Sequence, residues 1–117
     1  MQYLLMIYQN EVEYAKNDAA TAQKMMAEYQ VFTQGIVQSG NFKAGDRLQP
    51  TTTATTVRVR DGKMLTTDGP FAETREQLGG YYLIEAKDLN AAIEIAARIP
   101  SARIGSIEVR PIWVYDK

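Results

Sequence analysis

The chain carries one pattern twice, near each end: an apolar segment typical of a β-strand, then an amphipathic helix, then a second strand. The first copy occupies residues 1–49 and the second occupies residues 80–115. Residues 3–8 begin the first copy with a continuous apolar run, which favours a buried strand. Two such units can place their helices on one face of a shared sheet, so the repeat predicts a two-layer α+β architecture.

Each predicted helix has an apolar stripe with spacings of three and four residues. The first helix is expected over about residues 18–39, with Asn17 or Asp18 as the candidate cap. Its stripe consists of Ala22, Met25, Met26, Tyr29, Phe32, Ile36 and Val37. The second helix begins after a cap at Asp88 or Asn90 and ends before Pro100. Its stripe consists of Leu89, Ala92, Ile93, Ala96 and Ala97.

A hairpin separates the two strand–helix–strand units. Residues 44–49 are predicted to form the strand that closes the first unit. Residues 57–67 then alternate apolar and polar side chains around Asp61-Gly62, a pair that suits a two-residue turn. The element order predicts a single domain over residues 1–117 with a ferredoxin-like βαββαβ fold and an inserted β-hairpin.

The last strand is predicted at residues 107–115, with Pro111 in its middle marking an edge or a bulge. The helices would cover one face of the sheet and leave the other open. A second copy of the chain is expected to cover that open face, because a bare apolar face is unfavourable in water. The residues expected there are Tyr82, Ile84, Trp113 and Tyr115.

Composition excludes several kinds of site. The chain has no cysteine and no histidine, so thiolate chemistry, disulfides, zinc–sulfur sites and histidine bases are excluded. Neither a metal nor another cofactor is expected. A net charge of −1 without a basic stripe gives no indication of nucleic-acid binding. The apolar run at residues 3–8 is too short to span a membrane and lacks the features of a signal peptide, which predicts a cytoplasmic protein.

The stretch TTDGPFAETREQLGGYYL, residues 66–83, is the main candidate for a functional segment. In a purely structural interpretation, Asp68-Gly69-Pro70 forms a turn and Phe71 packs into the core. In a functional interpretation, Asp68 lies at the mouth of a cleft with Glu73 and Glu76 close by, and two of these acids divide acid and base roles. The pattern alone leaves both interpretations open.

Three further side chains are candidate ligand contacts. Arg58 and Arg60 lie two positions apart on a predicted strand, so they share one face and could bind an anion. Tyr81 and Tyr82 point to opposite faces of their strand, and Tyr82 is the one assigned to a pocket. A solvated hairpin face is the alternative interpretation for the arginines, and it applies to Arg47 and Arg110 as well.

The segment at residues 54–86, ATTVRVRDGKMLTTDGPFAETREQLGGYYLIEA, together with MQYLLMIY and IEVRPI, resembles the DGPF-type proteins of the YCII-related family. The resemblance extends along essentially the whole chain. It implies a dimeric α+β barrel, in which two ferredoxin-like protomers pack sheet to sheet and form a cleft between them. DGPF-type members have no established reaction, and their genes often lie near those of alternative sigma factors.

More distant relatives are thought to hold a His–Asp pair in the cleft. The resemblance assigns the aspartate to Asp68, but this chain has no histidine to complete the pair. Near the position where similar proteins can have a histidine, it reads Ala102-Arg103-Ile104-Gly105. The resemblance therefore transfers one carboxylate and not a dyad.

Three functional hypotheses follow from the sequence and the resemblance. The first is a small-ligand-binding or regulatory protein, linked to a sigma factor. The second is a cleft enzyme that uses Asp68 for acid–base chemistry on a compact organic substrate, with Arg58 orienting an anion. In the third, the DGPF motif serves the architecture of the dimer alone.

Overall fold

The computed structural model describes residues 1–115. The strands are β1 Gln2–Gln9, β2 Phe42–Arg47, β3 Thr55–Arg60, β4 Lys63–Asp68, β5 Gln77–Glu85 and β6 Ser106–Pro111. The helices are α1 Glu11–Ala15, α2 Ala19–Gln38 and α3 Leu89–Arg98, and short 3-10 turns lie at Thr51–Thr53 and Pro100–Arg103. No helix among the described residues has the length and apolar character needed to cross a bilayer.

The main sheet has the antiparallel order β2-β5-β1-β6, and β3 and β4 form a separate two-stranded sheet. The two central strands come from the starts of the two strand–helix–strand units, and the edge strands come from their ends. This is the ferredoxin-like arrangement with an inserted hairpin that the sequence predicts. The helices and the sheet form two layers.

Side-chain caps fix where the helices begin. The carboxylate of Asp18 accepts a hydrogen bond from the backbone N–H of Thr21 at 2.8 Å, and this bond lowers the pKa of Asp18 below its usual value. Asp88, not Asn90, caps α3 by accepting from the backbone N–H of Ala91 at 2.9 Å. Both helix starts were predicted. The five-residue α1 was not, because it is too short to show a helical period.

The core lies between the helices and one face of the sheet. Alternate residues of β1, Tyr3, Leu5 and Ile7, are buried there against Phe32 and Ile36 of α2. The predicted stripe of α2 is correct in its centre, whereas Met26 and Val37 at its margins are exposed.

The predicted stripe of α3 is rotated from the true one. Ala92, Ile95, Ala96 and Ile99 are buried, whereas Leu89 and Ile93 are about half exposed. Both sets have helical spacing, so periodicity alone did not choose between them. The buried set includes Ile95 of α3 and Ile99, the extended residue that follows the helix.

The residues assigned to the open sheet face were wrong. Tyr82 and Ile84 are buried on the helix-covered face, because they alternate with Tyr81 and Leu83. The open face instead carries Tyr81 and Leu83 of β5, which pair with Met6 and Leu4 of β1.

The end of the last strand also differs from the prediction. β6 stops at Pro111 rather than continuing to residue 115, and Trp113 and Tyr115 beyond it are exposed. One further backbone hydrogen bond, from the N–H of Ile112 to the oxygen of Gln2 at 2.9 Å, joins the chain to β1 beyond Pro111. The missing N–H of Pro111 would face away from β1, a position that proline tolerates on an edge strand. The prediction of an edge strand is correct, since in the described sheet β6 pairs with β1 alone.

The inserted hairpin has the predicted turn. Asp61 and Gly62 both adopt positive φ, 53° and 74°, as a two-residue hairpin turn requires. At the other end of β4, Gly69 has a φ of 102°, so Asp68-Gly69-Pro70 does redirect the chain. Phe71 does not enter the core of the chain, as the purely structural interpretation expected. Its side chain is 79% exposed.

Candidate functional site

A pocket of about 380 Å³ lies between α2 and the half of the sheet formed by β2 and β5. Its roof is formed by side chains of α2, among them Met26, Tyr29 and Thr33. Glycines of β2 and β5 and the ring of Tyr82 contribute its floor. The pocket lies within one chain, on the helix-covered side of the sheet.

Glycines allow the floor to form where the strands approach a ring and a carbonyl. A Cβ atom on Gly45 would lie 2.7 Å from Cδ1 of Tyr82, so any side chain there would displace the ring. A Cβ on Gly80 would lie 2.9 Å from the backbone oxygen of Asp46, on the paired strand. Gly79 has no partner on β1, because the ladder shifts register between Ile7 and Tyr8, so the alternation of faces is interrupted there. A Cβ on Gly79 would have its nearest neighbour, Nε2 of the lining residue Gln9, 3.9 Å away, which leaves room for a side chain.

Tyr82 joins the floor to the roof. Its ring packs edge-to-face against Phe32 at 5.2 Å and against Phe42 at 6.3 Å, centroid to centroid. Its hydroxyl lies 2.7 Å from Oγ1 of Thr33 on α2. Burial raises the pKa of the Tyr82 phenol, so at neutral pH this wall is uncharged. Of the side chains that the sequence assigned to ligand contacts, Tyr82 is the one that lines the pocket.

A buried chain of hydrogen bonds forms one end of the pocket. Ser101 is 2% exposed, and its Oγ donates to Oε1 of Gln9 at 2.9 Å. The Tyr29 hydroxyl lies 2.6 Å from the same Oγ. Because the single proton of Ser101 points at Gln9, Tyr29 is the donor to Ser101, and the lone pairs of the Tyr29 oxygen remain to accept a bond. Burial raises the pKa of Tyr29, which keeps this group neutral too.

The side chains of the pocket wall are suited to binding a ligand rather than to catalysing its chemical conversion. The pocket offers apolar surface, aromatic rings and neutral hydroxyls. The pKa values of both phenols are raised, so both stay protonated near neutral pH. A protonated phenol cannot accept a proton as a general base. The arrangement matches the usual anatomy of a small-molecule site, in which a few polar groups orient a mostly apolar ligand.

The two predicted catalytic carboxylates lie elsewhere. Asp68 is the last residue of β4 and is exposed, and Glu73 is exposed in the loop that follows. Neither carboxylate lines the pocket. The neighbouring Glu76 accepts a hydrogen bond from the Ser106 hydroxyl at 2.8 Å, which ties the loop to β6. The structure does not bring these acids together in a cleft of one chain.

The two predicted anion-binding arginines lie on the hairpin. Arg58 is half-buried and Arg60 is exposed. Their positions in the ladder place them on the same hairpin face, opposite Leu65 and Lys63. They are not part of the pocket wall. Their role in binding an anion stays a prediction.

Most of the residues that form the pocket could not be recognised from the sequence. The helical pattern treats Tyr29 and Thr33 as residues of α2 with no special role. Ser101 follows Pro100 and belongs to no recognisable motif. The one usable signal was glycine, at Gly45 inside a predicted strand and at Gly79-Gly80 where another begins, which indicates a close approach of backbone to a neighbour. Within residues 1–115, no three acidic side chains converge in a way that would hold a metal ion.

Two comparisons with known proteins cover nearly the whole chain. The family profile described as YCII-related domain matches residues 1–116. An uncharacterized protein of Rhizobium meliloti (strain 1021) is 35% identical over 117 residues, which is 98% of this chain and 94% of that protein. The similarity therefore includes the hairpin, both helical units and the strands that form the pocket.

Proposed function

Because the chain belongs to the YCII-related family and its own fold contains a pocket, we propose that it is a binding protein for a small organic molecule. The observation that carries the proposal is the pocket of about 380 Å³ under α2, with its aromatic floor and its buried Tyr29–Ser101–Gln9 end. Ligand pockets commonly fall in the range of about 300–1,000 Å³.

Binding without turnover fits the chemistry of the walls better than catalysis does. The neutral phenols and hydroxyls can orient a ligand, and Asp68 and Glu73 lie outside the pocket wall. An enzyme that used Asp68 would need its substrate near the hairpin base, where it would meet an exposed carboxylate. A regulatory link to a sigma factor is compatible with ligand binding, but no feature of residues 1–115 argues for that partner.

Ligand binding can be tested with a neutral probe of apolar sites, N-phenyl-1-naphthylamine. We expect its fluorescence to rise on titration with the protein and to saturate at one probe per chain, because each chain carries its own pocket. Equilibrium dialysis gives an independent stoichiometry. A linear, unsaturable signal, or no bound probe at all, would contradict the proposal.

We also propose that the protein forms a homodimer through the open face of its sheet. That face carries Leu4 and Met6 of β1 beside Leu83 of β5, and the helices of the same chain lie on the other side. A second copy is a suitable cover, because the same apolar patch on each chain is self-complementary about a two-fold axis.

A charge placed on the open face should weaken the dimer. Met6→Glu would bury an unpaired carboxylate twice in a two-fold interface, and we expect dimerisation to weaken by at least about 100-fold. Light scattering after gel filtration should then show a mass near 13.1 kDa. Val31→Glu, on the exposed side of α2, is the matched control. A Met6→Glu protein that keeps the dimeric mass would refute this interface.

A further inference from the structure

The pocket side of the sheet carries a positive charge that no acidic side chain of the lining balances. Among the residues of the pocket lining, Asp46 and Arg47 of β2 are the charged ones. Successive residues of a strand point to opposite faces, so their side chains separate. Arg47 pairs with Gly80, which alternates with Tyr82 on the helix-covered face. Arg47 is therefore on the pocket side of the sheet, and Asp46 is on the open side.

Asp46 is already engaged on that open side. The Tyr81 hydroxyl donates to its Oδ2 at 2.7 Å, and this bond raises the pKa of Tyr81. The contact of Asp46 with the pocket is thus made through its backbone, whose oxygen lies beside Gly80. The carboxylate does not offset the charge of Arg47 within the pocket.

Arg47 makes no ion pair with another described residue, and its guanidinium donates no hydrogen bond to residues 1–115. The arginines that do form ion pairs are Arg103, with Glu28, and Arg110, with Glu108. Glu11 of α1 accepts hydrogen bonds from the backbone N–H and the hydroxyl of Thr51. Arg47 is exposed, so its five donors lie at the mouth of an apolar pocket.

We propose that the ligand of this pocket is a compact organic monoanion, whose acid group binds Arg47 and whose apolar body lies between α2 and the sheet. The proposal rests on the binding function proposed above and specifies its ligand class. The planar guanidinium suits a carboxylate or sulfonate, which it binds through two parallel hydrogen bonds. Tyr82 and Phe42 supply ring surface for the body, and the Tyr29 oxygen accepts a donor at the inner end.

The charge contribution can be separated from the pocket itself with two probes that share one ring system. 1-Anilinonaphthalene-8-sulfonate is anionic, and N-phenyl-1-naphthylamine is its neutral counterpart. We expect Arg47→Gln to weaken binding of the anionic probe by about tenfold and to change binding of the neutral probe by less than about twofold. Arg47→Lys should recover part of the loss, because it keeps the charge without the paired donors.

Arg98→Gln, on the exposed end of α3 and away from the pocket, is the matched control and should leave both affinities unchanged. If Arg47→Gln weakens both probes equally or neither, the anion assignment is wrong while the pocket stands. If Arg58→Gln produces the selective loss instead, the anion lies on the hairpin and the assignment to Arg47 is overturned. If neither probe binds the unaltered protein, the binding function itself fails.

Discussion

Replacing Gly79 with leucine is expected to weaken ligand binding by about ten- to a hundredfold while leaving the fold intact. A Cβ at this position would lie 3.9 Å from Nε2 of Gln9 and 4.0 Å from the backbone oxygen of Ile7, both in residues of the pocket wall. The backbone at Gly79 does not have the positive φ that requires glycine. The leucine side chain can therefore be accommodated, and its remaining carbons occupy the space of the ligand.

The size of the effect follows from overpacking. Forcing a ligand and a leucine into one cavity costs about 1–3 kcal/mol, which corresponds to an affinity loss of about ten- to a hundredfold. Titration with N-phenyl-1-naphthylamine measures it. Gly35→Leu, on the exposed side of α2 with nothing within 4 Å, introduces the same side chain away from the pocket and should bind normally. A folded Gly79→Leu protein with unaltered affinity would show that the probe binds elsewhere.

Replacing Gly105 with alanine is expected to destabilise the protein by about 3 kcal/mol or more. The added Cβ would lie 2.1 Å from the backbone oxygen of Tyr8, a distance that no side-chain adjustment relieves. Tyr8 belongs to β1 and pairs with Ser106 of β6, so relief requires these strands to separate. The Gly105 N–H also bonds the oxygen of Ser101 at 2.8 Å, which links this position to the end of the pocket.

Denaturant unfolding of the alanine variant measures this loss. Gly35→Ala is the matched control, because a Cβ there meets nothing and alanine favours a helix by about 0.5–1 kcal/mol. The two glycine-to-alanine changes should therefore shift the unfolding midpoint in opposite directions. A Gly105→Ala protein as stable as the unaltered chain would mean that β1 and β6 are not packed as closely as described.

The fold was predictable because short stretches of the sequence determine its helices, strands and turns. The apolar run at residues 3–8, the three- and four-residue spacing in α2 and the Asp61-Gly62 turn each indicate one element. The errors arose where two registers satisfied the same pattern. The stripe of α3 could include Ile93 or Ile95, and the sheet decided in favour of Ile95. Likewise, the sequence could not tell which of Tyr81 and Tyr82 faces the helices.

The pocket was not predictable in the same way, because its contacts join distant parts of the chain. Ser101 and Gln9 are 92 positions apart, and Tyr82 and Thr33 are 49 positions apart. No motif of neighbouring residues encodes such a pair. In residues 66–83 the DGPF motif made Asp68 the candidate residue. The residues of this segment that line the pocket lie near its other end, at Gly79-Gly80 and Tyr82. The identity of Arg47 as the pocket cation required the register of β2 against β5.

The most direct test of the central claim is an amide chemical-shift map of the isotope-labelled protein during titration with N-phenyl-1-naphthylamine. We expect saturable shifts at the amides of Gly45, Gly79, Gly80 and Ser101, which surround the pocket. Shifts confined to the open sheet face, or to the loop that follows Asp68, would contradict a ligand site beneath α2.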